Sequence, residues 1–192
     1  MPSAKTLTLR IAEVEDTEMV VSIVREASDW LAERGILWLR QFPGGTPQRV
    51  AEGNVWLASL DDGSEPVATV ALVPMPDPEL WEAHESDALF VHGLAVRRSL
   101  SGWGIGSALL DFACDRAARQ DIPWVRLDCN KTNLALQAYY RRHGFTYLRT
   151  IDLPHRNTGA LFQKRSRPST TVREVDGVPD IFTMGIRLAN AK

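Results

Sequence analysis

The chain has 192 residues, of which 44% are hydrophobic and 24% are charged, and its formal net charge is −2. This length suits a single domain with a full hydrophobic core. The balance of charges offers no basic surface for nucleic acid or for an anionic membrane, so we expect neither as a partner. No apolar stretch has the length of a signal peptide or reaches the ~18 residues of a membrane-spanning helix.

Cysteine usage points to an intracellular setting. The two cysteines, Cys114 and Cys129, are too few for a disulfide framework or a cysteine zinc site. The histidines and cysteines also lack the spacing of metal ligands. We therefore expect reduced thiols, a cytoplasmic protein and no metal.

Strand and helix patterns follow one another along the chain. In the first half, the predicted elements are a strand at 7–14, a helix at 17–34, a short helix at 46–52, and strands at 54–59, 66–73 and 88–96. In the second half they are a helix at 104–119, a strand at 124–129, a helix at 133–143, and strands at 145–153 and 159–164. The run 88–96 is nearly all apolar, which is typical of a strand buried on both faces.

This order of elements predicts an α/β (α+β) protein. Its sheet should be mixed and mostly antiparallel, with helices covering the faces. We assign residues 1–165 to one domain and 166–192 to a C-terminal extension that begins with a linker-like segment. Residues 181–188 of the extension have the pattern of one additional strand.

A glycine-rich turn joins the strand 88–96 to the following helix. Glycines at 102, 104 and 106 allow close approach of a ligand, and the first amides of a helix have no intrahelical partners. These features favour a phosphate or pyrophosphate site, although a turn that only starts a helix has the same composition. The dinucleotide pattern fails because Ser107 and Leu109 stand where glycine is required, and no Walker Gly-Lys-Ser/Thr follows.

Two blocks resemble the GNAT superfamily of N-acetyltransferases. Residues 101–106 are similar to its pyrophosphate loop, Q/R-x-x-G-x-G/A, except that Ser101 stands where Gln or Arg is usual. Arg97 or Arg98 would then supply the missing charge. Residues 133–145 are similar to the family's Asn, Tyr seven residues later, and Gly-Phe. The resemblance covers roughly residues 7–164.

The resemblance implies a GNAT-like fold and acetyl-CoA as the cosubstrate, without metal. Backbone groups at the end of the strand 88–96 would pair with the pantetheine arm and face the thioester carbonyl. Amides of the loop would hold the pyrophosphate. The residues implied to bind acetyl-CoA are Leu94, Ala95, Val96, Ser101, Gly102, Trp103, Gly104, Ile105, Gly106, Ser107 and Asn133.

The resemblance also implies direct transfer of the acetyl group to a primary amine. Tyr140 would protonate the departing thiolate, because a phenol with a pKa of about 10 keeps its proton at pH 7. The ammonium of the acceptor needs a base. His92 is one candidate, although a histidine in a buried strand is more often part of the core. Glu85 and Asp87, acting through water, are the others.

Four residues are candidates for the acceptor site: Trp38, Phe42, Glu85 and Asp87. The two aromatic residues lie where the family builds its acceptor pocket, although packing is an equal alternative. The acidic residues at positions 77–87 would either attract a cationic acceptor or form a solvated loop.

These features predict an acetyl-CoA-dependent N-acetyltransferase that acts on the amine of a small molecule. The alternatives are a protein or peptide N-acetyltransferase and a non-catalytic acyl-CoA-binding or sensor module. A homodimer formed through the C-terminal segment is a further expectation.

Overall fold

The computed structural model of the protein describes residues 4–38, 43–61, 65–178 and 180–187. The strands in these ranges are β1 (Ala4–Ile11), β2 (Val55–Leu60), β3 (Ala68–Val73), β4 (Ala88–Val96), β5 (Trp124–Asn130), β6 (Thr146–Thr150), β7 (Thr158–Arg165), β8 (Val172–Glu174) and β9 (Ile181–Arg187). The helices are α1 (Thr17–Ala32), α2 (Thr46–Ala51), α3 (Ile105–Arg119) and α4 (Leu134–Arg142). None of the helices in these ranges is long and apolar enough to cross a membrane.

The nine strands lie in one sheet in the order β6-β7-β5-β4-β3-β2-β1-β9-β8. β4 and β5 pair in parallel, whereas the other neighbouring strands pair in antiparallel fashion. The parallel pair is connected through α3, because parallel neighbours need a crossover. The predicted fold class, a mixed and mostly antiparallel sheet flanked by helices, is confirmed. β8 was not predicted, because three residues are too few to show an alternating pattern.

Different helices cover the two faces of the sheet. α3 and α4 pack on one face, where Leu109, Phe112 and Tyr140 belong to the largest hydrophobic cluster. α1 and α2 cover the other face, where Ile23 and Val50 belong to a second cluster. We refer to these as the α3–α4 face and the α1–α2 face. Successive residues of a strand point to opposite faces, so β4 and β5 contribute side chains to both.

The C-terminal strands are part of the same sheet and core. β9 pairs with β1 on one side and with β8 on the other. Phe182 of β9 is fully buried, and its ring centroid lies 5.6 Å from that of Trp56 and 5.5 Å from that of Phe112. The backbone N–H of Ser169 donates to the buried carboxylate of Asp115 on α3 at 2.8 Å. The segment after residue 165 is therefore tied to the domain by backbone pairing and by aromatic packing.

A β-bulge interrupts the pairing of β4 with β3. Ala71 pairs with His92 and Thr69 pairs with Ala95, so one extra residue of β4 is accommodated between the two pairs. Gly93 lies in this bulge with a φ of +56°, a left-handed conformation that glycine adopts without strain. The bulge changes the alternation of β4, so that Leu94 and Val96 pack against the cluster on the α3–α4 face and Ala95 lies in the cluster on the other.

Candidate active site

The parallel ladder between β4 and β5 ends before either strand does. Its last pair is Val91 with Leu127, whereas β4 continues to Val96 and β5 to Asn130. In the described part of the chain, the backbone of β4 beyond Val91 has a strand partner only on the β3 side. An extended ligand can add to such an edge as a strand does. Leu94, Ala95 and Val96, predicted from the sequence to line the cosubstrate, lie along this edge.

The glycine-rich loop lies between β4 and the start of α3. Gly102 and Gly104 have φ values of +84° and +80°, which explains the requirement for glycine at both positions. The Gly104 carbonyl accepts hydrogen bonds from the Ala108 N–H at 3.0 Å and from the Ser107 hydroxyl at 2.7 Å. The amides at the start of α3 have no partner within the helix, and together with the helix dipole they favour an anion.

Gly106 has a different role from the other two glycines of the loop. A Cβ atom at this position would lie 2.9 Å from the hydroxyl of Tyr139 on α4. Glycine here leaves room for the Tyr139 hydroxyl at the start of α3. Two other loop residues, Ile105 and Trp103, pack in or against the largest cluster.

Of the two arginines beside the loop, Arg98 is placed to supply charge. Arg97 is already engaged, because its guanidinium pairs with Glu26 at 3.0 Å and donates to the Ser22 hydroxyl at 2.7 Å. The Arg98 guanidinium lies 3.7 Å from the centroid of the Trp30 ring and donates to the Ser101 hydroxyl at 3.2 Å. Its Nε is buried and has no hydrogen-bond partner within the ranges that the structure describes. Burial and the nearby positive charge of Arg34 lower the pKa of Arg98.

The two tyrosines of α4, Tyr139 and Tyr140, both lie on the α3–α4 face. Tyr140 is 8% exposed, and its ring packs against Phe145 and Phe162. Burial raises the pKa of Tyr140 well above its usual value, with a smaller contribution from Cys129 at the end of β5. Burial also raises the pKa of Tyr139, to about 12. Both phenols therefore keep their protons at neutral pH.

His92 is the first residue of β4 after the ladder with β5 ends. Burial lowers its pKa below the usual value, and the charge of Arg49 adds to this effect. Asp128 and Asp77 act in the opposite direction, and Arg156 contributes to the lowering. A histidine with a lowered pKa is neutral at pH 7 and can accept a proton.

The carboxylates of Glu85 and Asp87 are held in ion pairs. Glu85 accepts two hydrogen bonds from Arg149, at 2.9 and 2.6 Å, and this lowers its pKa to about 2. Asp87 pairs with Arg126 at 2.8 Å. A carboxylate with such a low pKa is a poor base. The contacts of both residues favour a structural role over the base and acceptor roles that the sequence suggested.

The rest of the acidic connection is also neutralised within the chain. Asp77 pairs with Arg156, which reaches Glu79 as well at 3.1 Å. His155 lies 3.0 Å from Glu79. These basic residues come from the segment between β6 and β7. The connection therefore does not present a row of unpaired carboxylates to a cationic acceptor.

The connection between α1 and α2 reaches the end of β5. Trp38 is half-buried and packs against the cluster on the α1–α2 face. The neighbouring Leu37 carbonyl accepts a hydrogen bond from the Asn130 side chain at 3.0 Å. This contact brings Trp38 near the edge between β4 and β5. Phe42, the other aromatic acceptor candidate, lies outside the described residues.

Asn133 is the N-cap of α4. Its side-chain oxygen accepts from the Leu136 N–H at 3.0 Å, and its own N–H donates to the side-chain oxygen of Asn130, also at 3.0 Å. The side-chain oxygen of Asn133 is therefore used to cap α4, and its side-chain nitrogen is the atom that could donate to a ligand. Asn130, which organises this turn, was not singled out in the sequence.

Two further residues near His92 were missed. Arg49 of α2 and Asp128 of β5 both perturb the pKa of His92. Nothing in the sequence marks Arg49, because it follows an ordinary Thr-Pro helix start. An aspartate within the apolar run of β5 was the only signal for Asp128. Among the described residues, no group of three or more His, Cys, Asp or Glu side chains could hold a metal ion.

Residues 25–145 match the model of the acetyltransferase (GNAT) family. The chain is 30% identical over 147 residues to the uncharacterized N-acetyltransferase YesJ of Bacillus subtilis (strain 168), covering 71% of this chain and 80% of that protein. A GNAT-family acetyltransferase structure from Listeria monocytogenes 4b F2365 is similar with a TM-score of 0.69 and 25% identity, covering 82% of this chain and 93% of that one.

A second solved structure, PaiA N-acetyltransferase from Thermoplasma acidophilum in complex with coenzyme A, has a TM-score of 0.65 and 16% identity. The match covers 83% of this chain and 98% of that one, and at this identity it shows the fold alone. The family match spans more than half of the chain and includes both blocks that suggested the resemblance. The chain therefore belongs to the GNAT family of acetyltransferases, and it is an acyltransferase of the class that uses acetyl-CoA.

Proposed function

We propose that this protein transfers the acetyl group of acetyl-CoA to a primary amine of a small molecule by direct attack, with Tyr140 as the general acid and His92 as the general base. One observation carries the proposal. Where the ladder between β4 and β5 ends, neutral His92 lies on the α1–α2 face of β4, and protonated Tyr140 lies on the α3–α4 face close enough to Cys129 of β5 to interact electrostatically.

The proposed base and acid lie on opposite faces of the sheet. This arrangement suits a reaction in which the amine attacks from one face and the thiolate leaves on the other. Phe90 and His92 precede the bulge on one side of β4, and His92 interacts with Asp128 of β5. Tyr140 interacts with Cys129 and Asp128 from the other side. An acetyl thioester lying along the edge would present its carbonyl carbon to the amine on the α1–α2 face. Its sulfur would then leave near Tyr140.

The proton balance assigns one task to each residue. His92 takes a proton from the acceptor ammonium, and the nitrogen lone pair forms the bond to the carbonyl carbon. The carbon–sulfur bond breaks, and the thiolate takes the phenolic proton of Tyr140. The nitrogen loses its second proton as the amide forms, which restores the tyrosine through solvent. The products are the acetylated amine, coenzyme A thiol and one released proton.

The loop and its surroundings support the cosubstrate assignment. Gly102 and Gly104 provide a backbone that a pyrophosphate can approach closely, and α3 directs its first amides and dipole to the same place. Arg98 would compensate for Ser101, which stands where the family's loop has Gln or Arg. Its guanidinium is already oriented by the Trp30 ring and by the Ser101 hydroxyl. Ser107, Ile105 and Trp103 would contribute through the backbone.

The α1–α2 face encloses a cavity of about 10 Å³, close to the volume of one water molecule, so an acceptor would enter it with no more than one polar group. The cavity beside Gly93 is small and is lined by residues of α1, α2 and the central strands. Trp38, which packs against the cluster on the same face, remains a proposed acceptor contact. Among the described strands of the C-terminal segment, both edges of β9 are paired within the chain, so a sheet-mediated homodimer there would use the free edge of β8.

The proposal is tested by following the release of coenzyme A thiol from acetyl-CoA with a panel of acceptors. The panel contains simple amines, polyamines, amino acids, aminoglycosides and peptides. We expect turnover with at least one small amine, and greater kcat/KM for it than for any peptide. Preference for peptides would replace the small-molecule assignment, and tight acetyl-CoA binding without turnover of any acceptor would favour a sensor.

A further inference from the structure

Arg49 is a half-buried cation that has no ion pair with any other described residue. Its guanidinium lies over Gly45, at 3.3–3.4 Å from the position of a Cβ atom there, and lines the small cavity beside Gly93. Asp128, Glu52 and Asp77 influence it electrostatically, but none of the described carboxylates lies within ion-pair distance of it. Burying a charge without a partner is unfavourable, so an anion from outside the chain would be stabilised here.

Asp128 is the complementary group. It is half-buried on β5, with the parity of Arg126 and Asn130, which places its side chain on the α1–α2 face with His92. Among the described residues it has no ion pair, in contrast to Asp77, which is engaged by Arg156. Four charges act on His92. Asp77 and Arg156 form an ion pair with each other, whereas Arg49 and Asp128 have no ion-pair partner among the described residues.

The cavity wall also contains a polar group without a partner. The side-chain hydroxyl of Thr69 is buried and has no hydrogen-bond partner in the described part of the protein, and Thr69 lines the cavity together with Arg49 and Gly93. A buried hydroxyl without a hydrogen bond destabilises the fold unless a water molecule or a ligand satisfies it. This observation is independent of the two charges. Because the cavity has a volume of about 10 Å³, close to that of one water molecule, a ligand would reach the Thr69 hydroxyl with only one polar group.

We propose that the acceptor is a small zwitterion of the amino-acid type, whose carboxylate binds Arg49 and whose ammonium binds Asp128 beside His92. The inference rests on the proposed function, because it names the substrate class of that site. A planar guanidinium accepts a carboxylate through two parallel hydrogen bonds, which would fix the orientation of the acceptor. Asp128 would then hold the acceptor ammonium until His92 removes one of its protons. The resulting amine can attack the thioester carbonyl carbon.

The test uses matched sets of three acceptors that differ only at the carboxyl group. The sets are leucine, leucinamide and isopentylamine; phenylalanine, phenylalaninamide and phenethylamine; and serine, serinamide and ethanolamine. We expect kcat/KM of the wild-type protein to be about 10- to 100-fold greater for the amino acid than for its carboxamide in at least one set, the usual worth of a charged hydrogen bond. The amide has the less basic amine, so amine availability cannot produce this preference.

Variants at the two charges separate their roles. Arg49→Gln should abolish the preference for the carboxylate, mainly through KM, while Arg49→Lys should retain part of it. Asp128→Asn should lower kcat/KM for every amine in the set. Glu52→Gln is the matched control, because it removes a charge near Arg49 from the exposed end of α2 and should preserve the wild-type ratio. A wild-type preference for the carboxamide, or an unchanged ratio in Arg49→Gln, would overturn the inference.

A binding measurement separates failure of the inference from failure of the proposed function. The same sets are titrated calorimetrically into protein saturated with coenzyme A, with the folding of each variant checked by its thermal midpoint. Binding of the amino acid in preference to the amide, lost in Arg49→Gln, supports the inference even if no acceptor is acetylated. Equal or absent binding of both in the wild-type protein refutes it, whatever the turnover with other amines.

Discussion

The hydroxyl of Tyr139 on α4 lies 2.9 Å from the position that a Cβ atom of Gly106 on α3 would occupy. The contact brings the end of the Tyr139 side chain against the backbone at the start of α3. It also means that Gly106 and the preceding glycines of the loop are required for different reasons. Gly102 and Gly104 are required by backbone conformation, and Gly106 by the neighbouring side chain.

Gly106→Ala should destabilise the protein, because overpacking of a tight contact typically costs about 1–3 kcal/mol. In a Tyr139→Phe background the same change should be neutral or stabilising. The nearest ring carbon then lies 3.9 Å away, an ordinary contact, and alanine is the better helix former. Urea unfolding of the four proteins of this cycle measures the coupling. Gly185→Ala is the control, since nothing lies within 4 Å of its added Cβ. Additive effects of the two changes would contradict the close contact.

Tyr140→Phe should lower kcat by about 10²-fold, because it removes the proton that the leaving thiolate needs and keeps the ring packing. The KM for acetyl-CoA should change little. Tyr139→Phe is the matched control, as it also removes one phenolic oxygen from α4 but leaves the proposed acid in place. Pre-steady-state thiol release measures the chemical step directly. If Tyr139→Phe lost activity and Tyr140→Phe kept a normal kcat, Tyr139 would be the general acid instead of Tyr140.

The pH dependence of kcat/KM should report His92. Burial and Arg49 lower the pKa of His92, so the neutral, proton-accepting form persists below the ordinary histidine pKa of about 6.5. Activity should therefore fall only as the pH decreases through this lowered value. His92→Gln should reduce kcat/KM by about 10²-fold and remove this acidic limb. If His92→Gln kept the acidic limb of the pH profile, that limb would report the titration of another group.

Arg98→Gln should weaken acetyl-CoA binding by about 10-fold, as expected for loss of one charge-assisted hydrogen bond in a half-buried setting. The salt dependence of binding should decrease with it. Arg97→Gln is the control, since Arg97 is engaged by Glu26 and Ser22 and its loss should affect stability more than cosubstrate affinity. Calorimetric titration with coenzyme A at two ionic strengths distinguishes them. Equal losses in both variants would remove the special role of Arg98.

Glu85→Gln should lower stability at neutral pH and leave kcat nearly unchanged. Arg149 lowers the Glu85 pKa from 4.5 to about 2. A carboxyl whose folded-state pKa is depressed stabilises the fold above its unfolded pKa, and this contribution is lost as the pH falls from 4.5 towards 2. Urea midpoints of wild type and variant should therefore converge near pH 2. A large loss of kcat at pH 7 would contradict this structural role and support Glu85 as the general base.

The sequence was informative wherever a local pattern has a local cause. The apolar run of β4, the glycines of the loop and the helix that follows are neighbours along the chain, so their geometry could be anticipated. The order of strands and helices was likewise sufficient to predict a mixed sheet with helices on its faces. The family resemblance rested on two such local blocks, and both fall within residues 25–145 of the family match.

The partners of individual charges could not be anticipated in this way. Glu85 and Asp87 were candidates for the base because they precede the central strand, yet Arg149 and Arg126 reach them from strands that follow much later in the chain. Arg97 and Arg98 are adjacent in sequence, but only Arg98 stacks on Trp30. Pairing between distant residues depends on how helices and strands pack, which a sequence pattern does not contain.

The sequence by itself thus determined the class of fold, the strand-loop-helix unit and the positions of Asn133 and Tyr140 on one helix. Only the tertiary structure brought Arg49, His92 and Asp128 together, because they come from α2, β4 and β5 and share no local motif. Periodicity records which residues lie on the same face of one element. Burial and electrostatics between elements arise only when the sheet is assembled and its helices are packed.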